Sequence, residues 1–103
     1  MTQPQVSVTE DALDLEENSK SGKPAPERKT YRIRIDKEHF VVPGSSIIGY
    51  QILELVGKKP SLYRLYQHFR GADSKVVDPK ATVDLRAPGV ERFTTMKLEN
   101  TDG

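Results

Sequence analysis

Between Tyr31 and Gly57 the spacing of apolar side chains changes once, from a period of two to a period near that of a helix. That change constrains the fold more than any other feature of the chain. Tyr31-Arg-Ile-Arg-Ile35 alternates apolar and basic residues, the pattern of a half-buried strand. Asp36-Lys-Glu38 is a short polar turn and His39-Phe-Val-Val42 a second β-rich run, so together they predict a hairpin. Pro43-Gly44-Ser45-Ser46 stops the strand and offers a serine N-cap. Ile48, Ile52 and Leu55 follow at i, i+4 and i+7, with Leu53 and Val56 widening the stripe, which predicts an amphipathic helix of about three turns. Gly57 suits a left-handed C-terminal cap, Lys58 and Lys59 complement the helix dipole, and Pro60 prevents continuation.

The strand period then returns. Leu62–Phe69 places Tyr63, Leu65 and Phe69 on one face and Arg64, Tyr66 and His68 on the other. Gly71–Ser74 is a turn, Lys75-Val-Val77 a short strand, and Asp78-Pro79 a break. Thr82–Leu85 is short and ambiguous, Ala87-Pro-Gly89 turns again, and Glu91–Leu98 is the last strand, with its buried face undetermined. The order β-β-α-β-β-β predicts a compact α+β domain: a β-hairpin, one main helix across its face, and returning strands in a mixed sheet. Ile33, Ile35, Ile48, Ile52, Leu55 and Leu65 are the expected core.

A boundary is expected near residue 29. Residues 1–29 are poorer in apolar side chains than the rest and carry Pro4, Pro24, Pro26 and the polar run Asn18–Gly22. Such a segment buries too little surface to offset the entropy of ordering, so it is expected to be disordered or ordered by a partner. Residues 30–98 are then the domain and residues 99–103 a flexible C-terminal tail. Charge is blocked as well. Residues 1–19 hold Glu10, Asp11, Asp14, Glu16 and Glu17 and no base, whereas Lys20, Lys23, Arg28, Lys29, Arg32 and Arg34 follow against Glu27 alone. The basic excess sits beside an acidic stretch rather than across the folded part, which argues for internal charge cancellation and against a nucleic-acid partner.

Catalytic signatures are absent. The chain has no cysteine, so thiol chemistry, disulfides and cysteine-ligated metals are excluded, and His39 and His68 do not make a metal site by themselves. Gly44 and Gly49 have phosphate-loop spacing, but Tyr50 and Gln51 stand where that motif needs lysine and serine or threonine. Nothing calls for a cofactor. There is no apolar run long enough to span a membrane and no signal-peptide pattern, so no membrane association and a cytoplasmic location are expected.

Three segments, TYRIRIDKEHFVVPGSSIIGYQILELVG, YRLYQHFRGAD and VDLRAPGVERF, occur in an order that resembles the bacterial multiubiquitin family. The resemblance covers about residues 30–98 and implies a ubiquitin-like β-grasp fold. It further implies a protein modifier that is itself no enzyme. Its expected partners are a ubiquitin-activating-type enzyme, a conjugating-type enzyme, a deconjugating peptidase and target proteins. Relatives often carry tandem copies; this chain shows one copy and no internal repeat.

On that resemblance, Leu98-Glu99-Asn100-Thr101-Asp102-Gly103 is the segment that the activating enzyme contacts, and Gly103 is the residue conjugated. Glycine suits the task, because its carboxylate must approach a phosphate, a thiol and an amine with no side chain in the way. The acidic Glu99 and Asp102 and the single glycine depart from ubiquitin's basic tail and di-glycine end, so a more basic enzyme channel is expected. Aligning Arg64-Leu65 with the third strand of ubiquitin puts Tyr66 at the apolar recognition patch, with Arg64, His68 and Arg70 around it. Tyrosine offers large contact area at low entropy cost. Two rival readings stay open. One is a non-covalent module or self-assembling subunit, in which Val6 and Val8 and the acids after them add a strand to a next copy near Lys58, Lys59, Arg64 and Arg70. The other is a sulfur carrier, which the single glycine and long N-terminal segment disfavour.

Overall fold

The computed structural model describes residues 12–99. In chain order the elements are β1 (Leu13–Asp14), α1 (Leu15–Asn18), a single 3-10 turn (Ser19–Ser21), β2 (Thr30–Ile35), β3 (Glu38–Pro43), β4 (Ser46–Ile48), α2 (Gly49–Leu55), β5 (Tyr63–Phe69), β6 (Lys75–Val77), β7 (Thr82–Asp84) and β8 (Val90–Lys97). The main sheet runs β3-β2-β8-β5-β6. β2 and β8 lie parallel at its centre, meeting at Ile35 and Phe93, and the flanking pairs are antiparallel. β4 and β7 form a separate antiparallel pair.

The hairpin forms where the alternation predicts it. Tyr31, Ile33 and Ile35 are buried, whereas Arg32 and Arg34 project from the opposite side of the sheet. Ile52 and Leu53 of α2 complete the core with Leu65, Phe93, Val77, Val83 and Leu85. Tyr31 is fully enclosed and its hydroxyl is fully used: it donates to the Pro26 carbonyl (2.9 Å) and accepts from the Arg28 amide (2.8 Å). Removing only that oxygen, in Tyr31→Phe, is expected to cost about 1 kcal/mol, read as a thermal midpoint about 4–8 °C lower.

Two expectations about the helix are corrected. Ser45 and Ser46 do not cap it: Ser46 is taken into β4, opposite Asp84, and the Ser45 carbonyl accepts from the Leu85 amide at 2.8 Å. The helix starts later, at Gly49, and Gln51 Oε1 reaches back to accept the Ile48 amide (3.1 Å). With only seven residues, α2 turns Gly49, Ile52 and Leu53 inward. Leu55, expected in the core, is left 38% exposed at the margin, and Ile48 is half-buried. Ile33, Ile35, Ile52 and Leu65 are buried as expected.

Part of the stretch before residue 30, expected to be disordered or ordered by a partner, packs on the domain of its own chain. β1 pairs with β2, matching Leu13 to Tyr31 and Asp14 to Arg32. Leu15 and Ala25 are buried in the common core. Composition averages over the segment, but burial depends on where its few apolar residues fall. Leu15 reaches the sheet, and Ala25 is held by Arg86 through two hydrogen bonds, Ala25 N to Arg86 O (2.9 Å) and Arg86 Nε to Ala25 O (2.8 Å). Polar residues nearby find partners rather than water: Arg34 donates to Glu16 Oε2 at 2.9 Å. Among the described residues no helix is long and apolar enough to cross a membrane.

Candidate functional site

Two surfaces meet at the end of β8. The first is the exit of the chain. β8 ends at Lys97, and the Leu98 amide then donates to the Leu62 carbonyl at 2.8 Å. Leu98 stays half-buried, lining a cavity of about 280 Å³ with Pro60, Tyr63, Arg64 and Val76, while Glu99 is exposed. Asn100, Thr101, Asp102 and Gly103 lie outside the described residues, as do Val6 and Val8.

The second surface is the side of the sheet turned away from α2. The β5–β8 register sets Arg64 opposite Met96, Tyr66 opposite Thr94 and His68 opposite Arg92, while β6 sets Val76 beside Tyr66. Arg64, Tyr66 and His68 therefore share one face, as alternation along β5 requires. Val76 is 53% and Met96 60% exposed, so an apolar strip flanks the tyrosine, with Arg64 and Arg92 around it. His68 Nε2 and Thr94 Oγ1 share one hydrogen bond at 2.7 Å. Burial, and next the Arg92 charge, push the His68 imidazole below its ordinary range, with Glu91 pulling weakly the other way. Near neutral pH the ring is thus uncharged, and the centre of this face is more apolar than its histidine suggests.

Arg70 does not join this face. A register shift between His68 and Phe69 turns the strand end, and the guanidinium is spent on the N-terminal segment and a neighbour: Nε donates to Ser19 Oγ (3.0 Å) and Nη2 to Glu91 (3.2 Å). Lys58 is likewise engaged. Its Nζ donates to Asp36 Oδ2 (3.2 Å) and Thr95 Oγ1 (2.7 Å) and lies 4.8 Å from the Tyr63 ring centre. Of Lys58, Lys59, Arg64 and Arg70, the first and last are therefore already engaged within the domain. Sequence reasoning missed Met96, because the exposed face of the last strand was undetermined, and Val76, because the pairing of its short strand with Tyr66 was not assigned. The signal was present: once Arg64 is placed outward, its cross-strand partner must be outward too.

A mixed sheet with a central parallel pair and one main helix, α2, packed against its core face has the architecture of a ubiquitin-like β-grasp domain. The multiubiquitin family model matches residues 31–97, and the chain belongs to that family. No curated protein and no solved structure matches it.

Proposed function

We propose that this chain is a protein modifier, activated at Gly103 and joined to amines on target proteins in the cytoplasm. The observation that carries the reading is the way the chain leaves the sheet. The Leu98 amide makes the last backbone hydrogen bond among the described residues, at the end of a central strand, and Glu99 after it is exposed. Five residues, 99–103, span about 17 Å when extended, enough to enter a narrow enzyme cleft while the domain docks outside it. In that cleft the Gly103 carboxylate would attack the α-phosphate of ATP, releasing pyrophosphate and forming an acyl adenylate. An enzyme thiolate would displace AMP to give a thioester, and a target amine would displace the thiol to give an isopeptide. The modifier supplies the acyl group and no catalytic residue. Glu99, Asp102 and the carboxylate favour a basic cleft. The face carrying Arg64, Tyr66, His68, Val76 and Met96 offers the conjugating enzyme and the deconjugating peptidase a docking surface of aromatic and apolar character with a cationic border.

The β3 edge favours a second reading, that of a non-covalent module. Among the described residues β3 pairs only with β2. A groove of about 370 Å³ runs beside it, lined by Val41, Val42, Pro43, Ile47 and Leu55. An extended segment such as that around Val6 and Val8 could add there by strand pairing. The intact mass of the chain, incubated with ATP, its activating enzyme and an amine acceptor, separates the two. Under the first reading the parent forms adducts, whereas deletion of Gly103 abolishes them and leaves the circular dichroism spectrum unchanged. A parent that forms no adduct, or a truncated chain that conjugates fully, overturns it.

A further inference from the structure

The segment from Leu13 to Ala25 lies outside the part of the chain that matches the family, yet it is seated on the sheet as a ligand would be. Its apolar anchor is Leu15, 2% exposed, with Leu13 half-buried beside it. The other contacts are polar. Asp14 Oδ1 caps α1 by accepting the Glu16 and Glu17 amides (3.0 and 3.4 Å). Glu16 accepts from Arg34 at 2.9 Å and lies 3.9 Å from His39 Nε2. Ser19 Oγ donates to the Glu16 carbonyl (2.6 Å) and accepts from Arg70 Nε (3.0 Å). α1 therefore packs on the side of β2 from which Arg34 and His39 project, and reaches across to β8. An acidic segment thus covers a basic strip of sheet.

The segment is held by few backbone bonds and joined to the domain by an exposed stretch. β1 contributes only two residue pairs, and a four-residue helix does not hold its shape without packing. Residues 20–24 are all exposed, and Gly22 sits at φ 71° with open space where a side chain would be. Ala25, by contrast, is buried and tied to Arg86 through both of its backbone groups. If the segment leaves its seat, Ala25 is the point at which the chain would remain fixed to the domain. Residues 20–24 extended give the segment a reach of about 16 Å.

We infer that the groove across β2 and β8 is a binding site for a leucine-anchored acidic segment, and that its occupant in trans is the Leu13–Ser19 segment of a second copy of this chain. The chain's own segment is the occupant whose shape and charge the groove already fits. Exchange between two copies remakes the same contacts across the pair, so it costs only the association of two chains. Reciprocal exchange closes with two-fold symmetry. The short linker gives the resident segment an effective concentration of about the millimolar range, so dilute chains stay closed, and copies held close together exchange. This holds whether or not Gly103 is conjugated.

The test uses the full chain and a synthetic peptide of residues 12–22. The peptide is titrated into nitrogen-15-labelled parent, a Leu15→Ala/Glu16→Gln chain with a weakened resident segment, and that chain carrying Arg34→Glu as well. Amide shifts around Arg34, His39 and Arg70 are expected to saturate for the weakened chain at a concentration at least about tenfold below that for the parent, whose groove is occupied. Arg34→Glu should remove that gain. Light scattering should show the parent, and not the weakened chain, dimerising as it approaches about 1 mM. Should Leu15→Ala prevent folding, Glu16→Arg weakens the seat while keeping the leucine. A folded, weakened chain that ignores the peptide overturns the inference. Equal binding to all three chains, or a parent that stays monomeric throughout, does so as well.

Discussion

Alanine at position 49 is expected to lower the thermal midpoint by about 8–16 °C, although alanine is the better helix former by about 1 kcal/mol. Gly49 opens α2 and is buried against the loop that follows β6. A Cβ at that position would stand 2.5 Å from the Asp78 carbonyl oxygen and 3.2 Å from the Pro79 Cα. Both obstacles are backbone, so neither can rotate away. Moving the loop would break the bonds that dock the helix start, Gly49 N to Ala81 O and Tyr50 N to Pro79 O, each 2.9 Å. Overpacking of this kind, against backbone, costs about 3 kcal/mol, so a loss of about 2 kcal/mol remains after the helix-propensity gain. Gly57 is the control. It lies at φ 71°, and an added methyl group would meet nothing within 4 Å, so Gly57→Ala costs only the left-handed strain, about 1 kcal/mol. Thermal melts of the two variants should differ by at least about 4 °C, and equal midpoints would mean that the α2 start does not depend on the Asp78–Ala81 loop.

The same docking explains why the helix boundaries were not legible beforehand. Ser45-Ser46 before an apolar run has the form of an N-cap, and local chemistry alone favours that reading. The competing claim comes from Thr82–Asp84, more than thirty residues on, which draws Ser46–Ile48 into a strand pair. No local pattern reveals a partner at that distance. The hairpin, by contrast, was legible because Tyr31–Ile35 alternates strictly and its turn is adjacent, so both the period and the pairing are local. Ile52 and Leu65 were legible for the same reason, each lying at the centre of its own stripe. Leu55 was at the end of one, where a shortened helix decides burial.

For the candidate site, β5 alternation was sufficient to bring Arg64, Tyr66 and His68 to one face, since a strand's period holds over its length. It failed at Arg70, because the register shift after His68 breaks that period. The N-terminal segment failed for another reason. Its burial depends on Leu15 and Ala25 meeting a preformed sheet and on Arg34, Arg70 and Arg86 being at hand. These contacts are tertiary, and an average over residues 1–29 conceals them.

Asp36 is the other position where a small change is expected to have a large effect, and its effect depends on pH. It occupies the two-residue turn between β2 and β3 at φ 56°, a conformation that aspartate tolerates and alanine resists. Its Oδ1 accepts the Thr95 amide (2.9 Å), and its Oδ2 accepts the Thr95 hydroxyl (2.7 Å) and Lys58 Nζ (3.2 Å). The hairpin turn, β8 and the residues after α2 are thereby tied together just before the exit at Leu98. Partial burial pushes the carboxyl up. The Thr95 hydroxyl and amide, the Lys58 hydrogen bond and the Lys58 charge outweigh it, and the group titrates below its ordinary value of 3.8. A depressed folded-state value gives stability that is complete above 3.8 and lost as pH falls through the lower folded value. Asp36→Ala should therefore cost about 2–3 kcal/mol at pH 7, from strain and lost hydrogen bonds. The ion pair adds little, both its ends being about one-third exposed. Asp36→Asn keeps the tolerance for the turn and one carbonyl acceptor for the Thr95 amide, so it should lie between the two. Melting curves at pH 7 should rank parent, Asn and Ala in that order. As pH falls below 3.8 the parent should approach the Asn variant and the gap to Ala should narrow, because the protonated carboxyl has lost the same charge that the amide never had. A gap between parent and Asn that stays constant down to the lowest pH would show that Asp36 is held by geometry alone.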